Sequence, residues 1–293
     1  VLPSVGVVSY NPPESLVSLC ASVLAQGCRV RVIDNGSDTG AEVLVACEEA
    51  GAEVVRLGSN TGVSGALAAL LDAATDEEWL LTLDQDSRLP DDFVPRLAGS
   101  TAVADPEVAV IGPVVRDELT ADVLQGDPQA PSAYDVMGVI TSGSLCRTGA
   151  LRAVGGFRAD LFIDYVDWDL CLRLRAAGWR VAVEPAAVLL HSLGATRTHS
   201  VAGVGVRASH HSADRQYYKY RNFLLLARAG TLRGALRWSV RQAAALAWGP
   251  LKIVLLERER IAKLRAIAAG VRDGLRGRGG SRPTRGGAQR STG

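Results

Sequence analysis

Between residues 5 and 83, short apolar runs alternate with segments of helical periodicity, and that alternation admits only a few folds. Val5-Gly6-Val7-Val8-Ser9, ended by Tyr10-Asn11-Pro12-Pro13, reads as a buried strand followed by a turn. Glu14 to Gln26 then places Leu16, Leu19, Val23 and Leu24 at helical spacing. The pattern recurs with a strand over Arg29–Ile33, a helix over Ala41–Ala50, a strand over Ala52–Leu57, a helix over Val63–Ala74 and a strand over Trp79–Leu83. Such alternation implies right-handed crossovers and a mainly parallel sheet with helices on its faces. The expected class is α/β, a single Rossmann-like domain with C-terminal amphipathic helices, and 293 residues at 47% hydrophobic content suffice for its core.

In a parallel sheet the ligand crevice lies beyond the carboxyl ends of the strands. Polar clusters stand at those ends: Ser9-Tyr10-Asn11, Asp34-Asn35-Gly36-Ser37-Asp38, Asn60-Thr61-Gly62 and Asp84-Gln85-Asp86-Ser87. Each has a bland reading as turn or cap chemistry. Their convergence on one sheet edge favours a ligand site.

Asp84 and Asp86 follow the apolar strand, so both carboxylates can approach one hard cation, Mg²⁺ or Mn²⁺, and the diphosphate it neutralises. Asp34 either accepts hydrogen bonds from a nucleoside or caps the helix beginning near Asp38. Asn60 and Gly62 allow a close backbone approach to a nucleotide or an N-cap. Of Asp164, Asp167 and Asp169, Asp164 suits a helix N-terminus through the macrodipole. Asp167 stands just ahead of the amphipathic run Trp168-Asp169-Leu170-Cys171-Leu172-Arg173, where it can face a cleft as a general base. His191 ends the apolar run Val188-Leu189-Leu190 and reads as a packed core residue or a metal ligand.

Beyond the mixed segment 113–139, a strand is expected over Ile140–Cys146, with Thr148 capping a short helix and Gly155-Gly156-Phe157 forming a turn. A helix over Val166–Ala177 and strands over Trp179–Val183 and Val188–His191 follow. Apolar and basic residues then interleave at helical spacing from Phe223 to Ile267, and the Gly/Arg-rich tail after Gly270 should be disordered. The expected division is a catalytic domain over 1–222, a helical segment over 223–270 and a basic tail over 271–293. Trp238 and Trp248 among arginines suit either a helical pair packed on the domain or a helix lying on an anionic membrane.

Five cysteines at irregular spacing, with no CxxC pair, argue against cysteine-bound zinc and for a reduced compartment. No basic region followed by an apolar run opens the sequence, so a cytoplasmic location is expected, with the inner face of the plasma membrane as the peripheral alternative.

Taken in order, Val8-Ser9-Tyr10-Asn11, Asp34-Asn35-Gly36-Ser37-Asp38, Asn60-Thr61-Gly62, Asp84-Gln85-Asp86-Ser87, Ser142-Gly143, Gly155-Gly156-Phe157, the Asp167–Arg173 run and His191 resemble the family 2 glycosyltransferases with the GT-A fold. The likeness spans roughly residues 4–222. It implies that Asp34 contacts the nucleoside, that Asp84 and Asp86 hold metal and donor, that His191 joins the metal shell and that Asp167 is the catalytic base of an inverting transfer. Ser9, Asn11, Asn60 and Gly62 fall on the donor side, and Ser142, Gly143, Trp168 and Asp169 are acceptor-side or supporting residues.

Two departures refine the resemblance. Val166-Asp167 replaces the usual Glu-Asp, and Arg237-Trp238 lacks the QxxRW of processive synthases because Gly234 stands where Gln would, which implies single additions. Phe162–Asp167, His191-Ser192-Leu193-Gly194 and Tyr217–Asn222 look like bacterial rhamnosyltransferases, although galactofuranosyltransferases share much of this pattern. The implied partners are a nucleoside diphosphate sugar donor, dTDP-L-rhamnose ahead of UDP-galactofuranose, and a glycan or lipid-linked acceptor, with no nucleic acid. A non-catalytic nucleotide-sugar-binding protein on the same fold is the reading from another class.

Overall fold

The computed structural model describes residues 2–191, 196–201, 204–209 and 212–282, with the backbone alone at residue 191 and at 196–201 and 204–209. The expected alternation is present as β1 (Ser4–Ser9), α1 (Ser15–Ala25), β2 (Val30–Asp34), α2 (Ala41–Glu49), β3 (Glu53–Arg56), α3 (Gly62–Ala73) and β4 (Trp79–Asp84). Next come α4 (Phe93–Ala98), β5 (Val108–Asp117), β6 (Val123–Gln125), β7 (Tyr134–Asp135), β8 (Ser144–Arg147), α5 (Thr148–Ala153), α6 (Val166–Ala176) and β9 (Arg180–His191). A hairpin, β10 (Thr196–Val201) and β11 (Val204–Ser209), precedes α7 (Ala213–Arg228), α8 (Leu236–Leu256) and α9 (Arg260–Leu275).

The main sheet runs β3-β2-β1-β4-β8-β5-β9-β7, with β6 on β5. The first four strands are parallel, β8 is antiparallel to both neighbours, and β5 and β9 are again parallel. Alternation along β1 sends Val5 and Val7 into one core with Leu16, Leu19 and Val23 of α1, and Val8 into the other with Leu67 and Leu70 of α3. Gly6 shares the second face because a Cβ there would lie 2.2 Å from the Leu70 side chain. The two apolar layers leave the carboxyl ends of β1, β2 and β4 side by side, with Ser9 opposite Asp34 and Val8 opposite Asp84.

The structure departs from the sequence reading at several places. The strand expected over 140–146 begins only at Ser144, because Thr141, Ser142 and Gly143 form a turn in which Gly143 has φ +79°. Thr148 is the first residue of α5 and not its cap; its hydroxyl donates backward to Glu77 O at 2.5 Å. The two short strands after Trp179 are one strand, β9, paired along β5 across a register shift between Pro113 and Val114. The boundary expected at 222 falls inside α7. Gly270 does not end a helix: α9 continues to Leu275, and Gly270 and Gly274 let it press on α7, where a Cβ would meet Tyr217 O at 2.3 Å and Arg221 O at 2.8 Å. The chain after α9 is also held, with Arg282 N donating to Tyr218 Oη at 2.7 Å. All five cysteines are buried free thiols.

Candidate active site

The exit of β4 is fastened from two sides. Gln85, between the two acids, accepts from Ser9 Oγ and Tyr10 N at 2.9 Å each and donates to Tyr10 O at 3.1 Å. The Ser142 hydroxyl accepts from Asp84 N at 3.2 Å and lies 2.7 Å from Ser87 Oγ. Ser142 therefore supports the loop that presents Asp84 and Asp86. Gly143 serves the same turn: its N–H donates to Thr82 O at 2.7 Å, and a Cβ would crowd Pro113 at 2.9 Å.

The neighbouring strand ends are wired together before any ligand arrives. Asp34, 5% exposed, accepts from Ser37 N at 3.2 Å and Ser37 Oγ at 2.5 Å. It stabilises its own turn and does not cap α2, whose N-cap is Gly40. Asn11, at φ 49°, accepts from Asp38 N and Thr39 N at 2.9 and 3.2 Å and so ties the β1 loop to the β2 loop. Asn35 Oδ1 accepts from Thr61 N and Oγ1 at 2.9 Å each, while its Nδ2 donates to Asn60 at 3.2 Å. Asn60 in turn accepts from Gly62 N at 2.8 Å. Gly62, at φ +76°, makes room for protein, since a Cβ there would lie 2.3 Å from Phe162 O.

The chain bearing Phe162 leads into Asp167 through an uncommon backbone. Phe162, Asp164 and Tyr165 all have positive φ, at 64°, 67° and 65°. Non-glycine residues hold such conformations only when their surroundings impose them. Asn222, fully buried on α7, supplies that restraint by donating to Leu161 O, Ile163 O and Asp164 O at 2.8, 2.7 and 2.9 Å. Arg221, equally buried, donates to Asp160 O and Leu161 O at 3.0 and 2.8 Å, and Arg215 grips the Asp164 carboxylate with bonds of 2.9 and 2.6 Å.

Asp167 emerges from this loop in the first turn of α6, half-buried, with Oδ1 accepting from Trp168 N at 2.8 Å. Burial raises its pKa to about 6; the Trp168 N–H opposes the rise, and the Asp164 and Asp84 charges add to it. A carboxylate poised near neutrality and electrostatically coupled to Asp84 has the properties of a general base. Its neighbours do other work. Asp169 is fully buried between Arg158 at 3.3 Å and Arg173 at 2.7 Å, a structural pair and not an acceptor contact. Trp168 packs 4.5 Å from Trp238, ring centre to ring centre, and joins α6 to α8.

For a divalent cation, the β4 exit offers carboxylate oxygens in a tethered loop. The backbone bridge Arg88↔Leu190 and the pair Asp117↔His191 bring the end of β9 beside that loop. Carboxylate oxygens of this kind suit Mg²⁺ or Mn²⁺. Among the described residues no three His, Cys, Asp or Glu side chains stand together as ligands, and the His191 side chain lies outside them.

Sequence reasoning passed over Gln85, Asn35, Arg215 and Asn222 as individual residues. Asn35 and Gln85 were visible inside polar clusters, and Asn222 closed the Tyr-rich run, but contacts made across long sequence separation leave no local pattern.

Residues 4–135 match the profile of the Glycosyl transferase family 2. The dTDP-rhamnosyl transferase RfbF of Shigella flexneri is 28% identical, covering 92% of this chain and 94% of its own. The N-acetylglucosaminyl-diphospho-decaprenol L-rhamnosyltransferase of Mycobacterium tuberculosis is 27% identical, covering 91% and 98%. In fold, the chain is similar to TarS 1-349 of S. aureus in complex with UDP-GlcNAc, with TM-score 0.63, 15% identity and coverage of 93% and 81%. It also resembles GalNAc-T7 with UDP, GalNAc and Mn²⁺, with TM-score 0.52, 13% identity and coverage of 65% of this chain and 44% of that one. With this match over residues 4–135, these relatives and a GT-A sheet that gathers the acids at its carboxyl edge, the chain is a glycosyltransferase similar to those of family 2.

Proposed function

We propose that the enzyme transfers L-rhamnose from dTDP-L-rhamnose to an acceptor hydroxyl with inversion at the anomeric carbon. The observation carrying the mechanism is the half-buried Asp167 carboxylate, held by a restrained loop within electrostatic reach of Asp84. The two rhamnosyltransferase relatives, matched over nearly their whole lengths, support the donor.

In this reading the strand-end loops around Ser9, Asn11, Asp34, Asn60 and Gly62 line the nucleotide side. Asp84 and Asp86, with His191, would hold Mg²⁺ or Mn²⁺, which when bound neutralises charge developing on the departing diphosphate. Asp167 orients the acceptor hydroxyl and takes its proton as the acceptor oxygen bonds to the anomeric carbon. The bond from that carbon to the diphosphate breaks on the opposite face, releasing dTDP, and a β-L-rhamnosyl donor gives an α-L-rhamnoside. The acceptor is a cell-surface glycan precursor, and α8 rests on the inner face of the plasma membrane. No helix among the described residues is long and apolar enough to cross a membrane.

The test is a donor comparison with purified protein, Mg²⁺ and a membrane extract as acceptor source. Consumption of dTDP-L-rhamnose with release of dTDP is expected. Turnover of UDP-galactofuranose with none of dTDP-L-rhamnose would overturn the donor and leave the family intact.

A further inference from the structure

A cavity of about 100 Å³ lies between α7 and α8, apart from the strand-end cleft. Lys219 and Lys252 line it with Gln216, Gln242 and Glu257. Among the described residues neither lysine makes a hydrogen bond or ion pair. The Glu257 carboxylate is already engaged by Lys263 at 2.6 Å, both buried, so it leaves the two ammonium groups without a direct counterion. Desolvation pushes the Lys219 pKa down, with Arg215 and Lys252 adding to the fall and the Asp164 and Glu257 charges opposing it. Holding two cations in one cavity costs free energy that an anion would offset.

The cavity is placed for the acceptor. Its Gln242 accepts from Tyr165 Oη at 3.5 Å, and Tyr165 is two residues before Asp167. Lys219 is one helical turn beyond Arg215, which holds Asp164, and the Asp164 charge acts on both Lys219 and Asp167. On the outside, α8 exposes Leu236, Val240, Trp248, Leu251, Val254 and Leu255 among the exposed Arg233, Arg237 and Arg241. Aliphatic and aromatic side chains interleaved with arginine suit the acyl–headgroup boundary of a membrane.

We infer that the cavity between α7 and α8 binds the diphosphate of a lipid-linked acceptor through Lys219 and Lys252, with the lipid chain leaving over the apolar face of α8. This rests on the assignment of Asp167 as the acceptor-side base. An ammonium group supplies three donors to phosphate oxygens, and the amides of Gln216 and Gln242 add donors of fixed direction. A diphosphate anchored there sets the distance from the membrane surface at which the acceptor sugar meets Asp167.

The experiment is flotation of the full chain with vesicles in EDTA, which prevents metal-bridged diphosphate from entering the donor cleft. Vesicles of phosphatidylcholine carrying undecaprenyl diphosphate are compared with vesicles carrying phosphatidylglycerol at equal charge. The diphosphate vesicles should bind at least about tenfold more tightly, and Lys219→Gln with Lys252→Gln should abolish the difference. Gln242→Glu, which adds a carboxylate while keeping the packing, should do the same if the double variant fails to fold. Equal flotation by wild type and variants would overturn the site. Inorganic pyrophosphate binding as tightly as the vesicles, and lost in the same variants, would make it a free-phosphate site and overturn the lipid acceptor. The melting shift given by dTDP with Mg²⁺ reads the donor assignment separately, so loss of vesicle preference with that shift intact counts against this cavity alone.

Discussion

Gln85 holds both sides of the Tyr10 backbone, its Oε1 accepting from Tyr10 N at 2.9 Å and its Nε2 donating to Tyr10 O at 3.1 Å. The residue between the two acids of β4 is thus a tether to β1 and not a ligand. Partners that orient metal-binding groups govern affinity nearly as strongly as the ligands do. Gln85→Leu should leave the fold intact and raise the Mg²⁺ concentration needed for half-maximal transfer by about tenfold or more. Metal titration of the initial rate checks this, and an unchanged titration would remove Gln85 from the site.

Asn222 spends its amide on three carbonyls of a loop with three left-handed non-glycine residues. Asn222→Asp keeps the volume and cannot donate, so Ile163 O and Asp164 O lose this donor while Leu161 O keeps Arg221. The expected cost is about 2–4 kcal/mol of stability. The loop's hold on Asp167 should loosen as well, lowering kcat more than it changes KM for the donor. Thermal melts and steady-state kinetics report both, and wild-type values in each would exclude a positioning role.

Asp167 has a pKa raised to about 6 against an ordinary value of 3.8, and the sign of its stability effect follows. Above both values the carboxylate is ionised folded and unfolded, and the folded state carries the burial penalty. Between them the folded group protonates first, so the penalty disappears as pH falls through this window. Asp167→Asn should therefore stabilise the protein at neutral pH by at most roughly 3 kcal/mol, with no gain below about pH 4. Melting curves across pH check this, and destabilisation at neutral pH would show that the charged form is the preferred one.

Membrane attachment is better tested by substitution than by truncation near Phe223. That cut falls inside α7, which carries the Arg215 and Asn222 contacts and packs against α9. Replacing exposed Leu236, Trp248 and Leu255 with Ser should weaken sedimentation with anionic vesicles by more than about tenfold, since burying each such side chain is worth ~1.5–3 kcal/mol. Added salt should weaken wild-type binding too. Sedimentation unchanged by the substitutions would assign α8 to protein packing alone.

The sequence made the first half of the fold readable because strand and helix periodicities are local, and the places of Asp84 at the end of β4 and Asp167 at the start of α6 followed from it. The roles of the residues around them could not. Gly62 invited a close nucleotide approach, whereas the group that approaches is Phe162 O. Gly270 marked the expected start of a disordered tail and is a contact point between α7 and α9, decided by a partner about fifty residues away in sequence. Asp169 shared a motif with Asp167, yet its charge is spent on Arg158 and Arg173. In each case a tertiary partner decides which of two locally equivalent roles the residue takes.

The pH dependence of kcat/KM, measured with dTDP-L-rhamnose at saturating metal, bears most sharply on Asp167 as the proton acceptor. The wild-type enzyme should lose activity below pH about 6 along a single-proton limb, because the protonated carboxyl cannot take the acceptor's proton. Asp167→Asn should keep its dTDP melting shift and lose ~10²- to 10⁴-fold in rate at every pH. A rate independent of pH down to about pH 5, or near-wild-type transfer by Asp167→Asn, would contradict the assignment and return the search for the base to the other acids of the cleft.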